Sequence, residues 1–164
     1  MTIPCEFLFE DKNSMDLWTI VDANGNGLSW TWNKGYYGDM NGPSIMYYYD
    51  DKMADDWMIS PRINLEAGKA YRITFDALSK KGNEDVLDVT IGKTVDVNDQ
   101  QIVKTLNISG ADYTTIDVVI HDLAETGSYH IGFHCKSQTK SYYIKMGNLK
   151  IAVSYTHLTL PTIL

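Results

Sequence analysis

Two-residue alternation of apolar and polar side chains dominates the chain from its middle onward. Tyr71, Ile73, Phe75 and Ala77 fall on one side, and Arg72, Thr74 and Asp76 on the other, which is the pattern of a half-buried β-strand. Leu87, Val89 and Ile91 repeat it around Asp88 and Thr90, and Ile116, Val118 and Ile120 repeat it again. Tyr129, Ile131, Phe133 and Cys135, opposite His130, Gly132 and His134, give the clearest instance. A last strand is predicted from Tyr142 to Val153, with a break at Gly147-Asn148. Glu66-Ala-Gly-Lys69, Lys81-Gly-Asn83, Ser109-Gly-Ala-Asp112 and Glu125-Thr-Gly-Ser128 separate these runs with turn-forming residues.

Short strands at this spacing predict an all-β sandwich or jelly roll of antiparallel sheets, not β-α-β units. A short helical turn is expected within Glu10 to Leu17, and no stretch keeps a helical period. Residues 1–153 are expected to form one domain. Residues 154–164, which follow a complete strand without alternation or a closing turn, read as a non-native extension or a linker.

Composition narrows the function classes. The 164 residues carry 21 acidic against 14 basic side chains, a formal charge of -7, and no basic run longer than Lys80-Lys81. Nothing here suits a phosphate backbone, so nucleic acid is not an expected partner. No apolar run approaches the roughly 20 residues that span a bilayer, so no membrane insertion is expected. Cys5 and Cys135 form no C-x-x-C pair, and are either bridged or both free. With 11 Tyr and 4 Trp against 4 Phe, the aromatics are of the amphipathic kind that suits wet binding surfaces as well as strand faces.

Two segments are more specific than the strand pattern. One is Trp18-Thr-Ile-Val-Asp22-Ala-Asn-Gly-Asn-Gly27-Leu-Ser-Trp30. The other is Asp55-Asp56-Trp57-Met-Ile-Ser-Pro61-Arg-Ile-Asn-Leu65. With Phe7-Leu-Phe-Glu10 ahead and Tyr143-Ile-Lys-Met-Gly-Asn148-Leu-Lys-Ile151 behind, their order resembles the cleaved-adhesin domain, also called the choice-of-anchor J domain, over about residues 5–153. The resemblance implies a jelly-roll β-sandwich, similar to MAM, galactose-binding and concanavalin-like sandwiches, in secreted or surface proteins of Bacteroidetes such as gingipain-type proteases. It implies a non-catalytic module attaching to host protein or glycan, with other domains of a longer parent protein beside it. A calcium-stiffened spacer without a ligand, and a carbohydrate-active enzyme on a jelly-roll scaffold, are the alternatives.

Candidate residues follow. Asp22-x-Asn24-x-Asn26-Gly27 has the opening spacing of a calcium loop, although the twelfth position is Asn33 where a bidentate Glu is wanted; a turn built on Asx side chains explains the same residues. A second calcium set, implied by the resemblance, joins Glu10 or Asp11, Asp55 or Asp56, and Asn148. Many relatives carry two Asp where Gly147-Asn148 stand here. Trp30, Trp32, Tyr36, Tyr37, Tyr47 and Tyr49 are candidates for a sugar-stacking platform. Trp30 and Trp32 share a face, as do Tyr47 and Tyr49, so one set is expected in the core. Trp18 and Trp57 read as core packing. His130 and His134, about 13 Å apart along a strand, cannot share a metal ion and read as solvated. No nucleophile elbow, Cys/His pair or H-E-x-x-H motif is present.

Overall fold

The computed structural model describes residues 1–34, 44–48, 52–138 and 142–155. Twelve strands run through them: β1 (Cys5–Phe7), β2 (Thr19–Asp22), β3 (Thr31–Asn33), β4 (Ser44–Tyr48), β5 (Asp56–Ile59), β6 (Ile63–Leu65), β7 (Ala70–Ser79), β8 (Glu84–Gly92), β9 (Gln101–Ser109), β10 (Thr114–Ile120), β11 (Gly127–Cys135) and β12 (Tyr143–Ser154). They build two six-stranded sheets. The first has the order β10-β7-β12-β4-β3, with β1 also on β12; the second has the order β2-β5-β11-β8-β9, with β6 also on β11. Every pairing is antiparallel. From β9 onward the chain crosses from one sheet to the other with each successive strand, the connectivity of a jelly-roll β-sandwich. Among the described residues there is no α-helix, and hence none long and apolar enough to cross a membrane.

The alternation read from the sequence is what closes the two sheets on each other. Tyr71, Ile73, Phe75 and Ala77 of β7 meet Tyr129, Ile131, Phe133 and Cys135 of β11 in one core. Phe75 and Phe133 join the sheets edge to face, 5.4 Å apart at 82°. Trp18 extends the cluster, 5.0 Å from Phe7, 5.6 Å from Phe9 and 6.4 Å from Phe133, and is core as expected. Rings buried this completely each contribute roughly 1.5–3 kcal/mol by removal from water.

The predicted turn at Lys81-Gly-Asn83 places Gly82 at φ 84°, a conformation open to glycine and strained for other residues. The predicted break in β12 is a register shift between Gly147 and Lys150. Asn148 sits there at φ 50°, which Asn tolerates better than most side chains. The helical turn is a single 3-10 turn, Lys12–Met15, capped by Asp11. Cys5 and Cys135 are both buried and neither forms a disulfide, and burial pushes the Cys5 thiol up. Residues 156–164 lie outside the described residues.

Two placements differ from the sequence reading. β9 had no clean alternation to mark it, because it is an edge strand with most side chains exposed. Trp57 is not a core residue. In β5 its neighbours Asp56 and Met58 point inward and are fully buried, so the two-residue period turns Trp57 to the outer face of the second sheet, where it is half-buried.

Candidate functional site

The aromatic platform expected from the sequence is mostly inside. Trp30 is 4% exposed and Tyr47 is 0% exposed; their rings pack 6.0 Å apart at 47°. The Trp30 indole donates to the Asp56 carbonyl at 3.2 Å. Trp32 is half-buried on the same inner side, opposite Ile45 of β4, and donates to the Phe9 carbonyl at 2.8 Å. Register explains the correction: β3 and β4 present Trp32 and Tyr47 to the core, and the two indoles find backbone carbonyls there. Tyr36, Tyr37 and Tyr49 lie outside the described residues.

The two calcium sets are brought together in part. Asp22 faces Asp56 in the β2–β5 register, the Ala23 amide donates to the Asp55 carbonyl at 3.0 Å, and the Asn24 amide approaches the Asp56 carboxyl at 3.4 Å. The loop oxygens are engaged locally. Asp22 accepts from the Asn26 and Gly27 amides at 3.2 and 2.8 Å, Asn24 from the Asn26 amide at 3.1 Å, and Asn26 from the Leu28 amide at 2.9 Å. Asp11 caps its 3-10 turn through the Asn13 amide at 2.8 Å, with exposed Glu10 just before it. Asn148 donates to Asp76 at 3.1 Å on the outer side of the first sheet. Among the described residues no three His, Cys, Asp or Glu side chains are grouped to hold a metal ion. The arrangement is a hydrogen-bonded Asx turn beside a buried carboxyl.

That carboxyl is Asp56, fully buried in the core. Burial pushes its pKa up, against hydrogen bonds from Tyr47, Ser29 and the Asp55 amide that pull it down. The same contact and the same burial raise the Tyr47 phenol.

A different constellation forms on the outer face of the second sheet, and register builds it row by row. Val21, Trp57, His134, Asp88 and Thr105 stand side by side across β2, β5, β11, β8 and β9. Two residues along, the row reads Thr19, Ile59, Gly132, Thr90 and Ile102; next come His130 and Gly92. In the first row the Trp57 and His134 rings stack 3.8 Å apart at 6°. His134 Nε2 lies 2.7 Å from Asp55 Oδ1, and its Nδ1 lies 3.9 Å from Asp88 Oδ2. The Asp88 side chain is only 2% exposed; Lys136 Nζ meets it at 2.7 Å and the Thr105 hydroxyl donates to it at 2.6 Å. His130 Nδ1 is 2.7 Å from the Ser60 carbonyl.

Neither histidine is therefore a freely solvated side chain. His134 is locked between an indole and two carboxylates, so its ring plane is fixed before anything binds. Chemically, the strip offers a half-buried flat indole next to carboxylates, hydroxyls and an ammonium already oriented by one another. Sequence alternation had put His130, Gly132, His134 and Asp88 on the outer faces. What it lacked was the strand register that sets Trp57 and Asp88 on either side of His134.

No protein-family model matches the sequence, and no curated protein matches it. Solved structures do match the fold. The K1 cleaved adhesin domain of Lys-gingipain from Porphyromonas gingivalis superposes with a TM-score of 0.77 at 15% identity, over 93% of this chain and 99% of that one. The CBM22-1 xylan-binding domain of Xyn10C from Paenibacillus barcinonensis gives 0.60 at 12% identity, over 93% and 94%. TmCBM61, solved with β-1,4-galactotriose, gives 0.61 at 12% identity, over 92% and 99%. At these identities the likeness is one of fold: the jelly roll expected from the sequence is shared with adhesin domains and with carbohydrate-binding modules.

Proposed function

We propose that this chain is a non-catalytic glycan-binding module of a secreted or surface bacterial protein, and that the sugar lies on the outer face of β5, β11 and β8. The observation that carries this reading is the half-buried Trp57–His134 ring stack on the outer face of the second sheet, beside Asp55 and Asp88. One face of the indole is covered by the imidazole. The other looks toward the edge strand β2, where Val21 is the cross-strand neighbour of Trp57, and is the side on which the pyranose ring would lie. A flat apolar ring face stacks on the C–H side of a sugar, while carboxylate and hydroxyl groups beside it bond the sugar's hydroxyls.

Preorganisation supports this reading over a merely solvated surface. Asp55 holds His134 at 2.7 Å and Asp88 holds Lys136 at 2.7 Å, so little side-chain entropy remains to be lost when a ligand binds. The fold shared with a xylan-binding domain and a galactotriose-binding module adds an analogy at the level of architecture. A glycan array probed with the full chain and with Trp57→Ala tests the proposal. Binding by the parent that is lost in the variant supports it; equal binding by both places the sugar elsewhere.

A further inference from the structure

Resting on that reading, we infer that Gln100 is a second recognition element of the same face, and that the ligand is a neutral, linear oligosaccharide long enough to reach from Trp57 to the Gln100 carboxamide. Two glycines carry the argument. Gly92 and Gly132 lie in successive rows of adjacent strands, and neither has the positive φ that would call for glycine on backbone grounds. Their need is steric. A Cβ at Gly132 would collide with Thr90 Oγ1 and come within 2.8 Å of Gln100 Oε1, and one at Gly92 would collide with Gln100 Nε2. The carboxamide therefore fills the trough the two glycines leave, lying flat on the sheet.

It is also fixed at both ends. The Thr90 hydroxyl donates to Gln100 Oε1 at 2.7 Å, and Gln100 Nε2 donates to the Thr94 carbonyl at 2.9 Å. One N–H and one lone pair of the amide remain unused by these bonds. Gln100 as a whole is half-buried, and its anchored amide would offer a sugar hydroxyl one donor and one acceptor of fixed direction.

Spacing then sets the ligand's length. Trp57 and Thr90 lie on strands separated by β11 and in successive rows, roughly 10 Å across the sheet and 7 Å along it, or about 12 Å apart. A single pyranose ring cannot touch both ends, and a chain of sugars crossing the strands diagonally can. Charge sets its class. Asp55, exposed, and Asp99, half-buried, flank the strip, Asp88 and Lys136 answer each other, and Lys93, next to Gly92, is bonded to Glu125. Asp99 is held ionised by the Thr94 amide. A uronic-acid or sulfated chain would meet net negative charge, and a neutral one would not.

Calorimetric titration of the full chain with neutral β-1,4-xylose oligomers and β-1,4-galactose oligomers of increasing length, and with oligogalacturonate, tests the inference in the parent, in Trp57→Ala, and in Gln100→Ala and Gln100→Met. Met keeps the bulk over the glycines and removes the amide, which separates recognition from packing. The parent should bind trimers at least tenfold more tightly than monomers and should prefer neutral chains. Both Gln100 variants should lose about tenfold on trimers and longer chains, the net value of one or two hydrogen bonds, with no change on monomers. Equal trimer affinity in parent and Gln100→Met, or a preference for oligogalacturonate, overturns the inference while a loss in Trp57→Ala keeps the binding reading intact. No binding by the parent to any sugar overturns both.

Discussion

Trp30 and Trp57 are neighbours through a single hydrogen bond, since the Trp30 indole donates to the carbonyl of Asp56, the residue before Trp57. Their surroundings are opposite. Trp30 tilts against Tyr47 in the core, at 4% exposure; Trp57 stands parallel to His134 on the outer face of the second sheet. Ring chemistry does not separate the two pairs. The parity of one strand does, because Asp56 points in and Trp57 points out, and shifting β5 by one residue would exchange them. In a sandwich, an aromatic pair thus becomes core or binding surface according to register.

The comparison breaks most visibly under truncation. Trp30→Ala should cost about 3–5 kcal/mol of unfolding free energy, as buried large-to-small changes do, measured by urea denaturation. Trp57→Ala should leave stability far closer to the parent and should remove sugar binding instead. Similar stability losses in the two variants would contradict the assignment of one ring to the core and the other to a site.

Acidity sharpens it next. Asp56, on the inner side of the same strand, has a folded-state pKa raised above the ordinary 3.8 by burial. The native state thus favours the protonated form. Its contribution is fully favourable below the unfolded value, declines as pH rises from there to the folded value, and is level above it. Asp56→Asn should remove that decline, so the variant gains on the parent between acid and neutral pH. Unfolding curves at several pH values read this directly; a difference independent of pH would mean that Asp56 is not carrying the burial cost.

Smaller effects concern the loop and the far face. Asp22→Ala removes the acceptor of two turn amides and should cost about 1–2 kcal/mol, the usual scale for a lost side-chain cap, by the same amount with and without added calcium. A loss seen only with calcium would give the loop a metal-binding role. Tyr48, 48% exposed on the outer face of the first sheet, is the control: Tyr48→Ala should change stability by no more than about 0.5 kcal/mol and leave sugar binding untouched.

Much of this molecule is legible in its sequence. Alternation at 71–77 and 129–135 marked the strands and faces that make the core, and Gly82 and Asn148 marked a turn and a bulge. The same alternation put His134 and Asp88 outside. Three features escaped it. β9 is an edge strand whose exposed residues leave little periodicity. Trp57, Met58 and Ile59 are consecutive apolar residues, and Ile59 is buried on the outer face too, which hides the side on which Trp57 lies. Gln100 carries no local signal, since its role depends on Gly92 and Gly132, brought beneath it by strand pairing. The Trp30 and Tyr47 platform failed because composition reports aromatics without reporting direction. Non-local pairing, not local propensity, creates the site.

A titration of the isotope-labelled full chain with a neutral β-1,4-xylose hexamer, followed by NMR, tests the central claim most directly. The largest chemical-shift changes should fall on the Trp57 indole N–H, the His134 ring, the Gln100 side-chain amide and the backbone amides of β11 around Gly132. Changes confined to the first sheet, around Tyr48 and Tyr142, would contradict it.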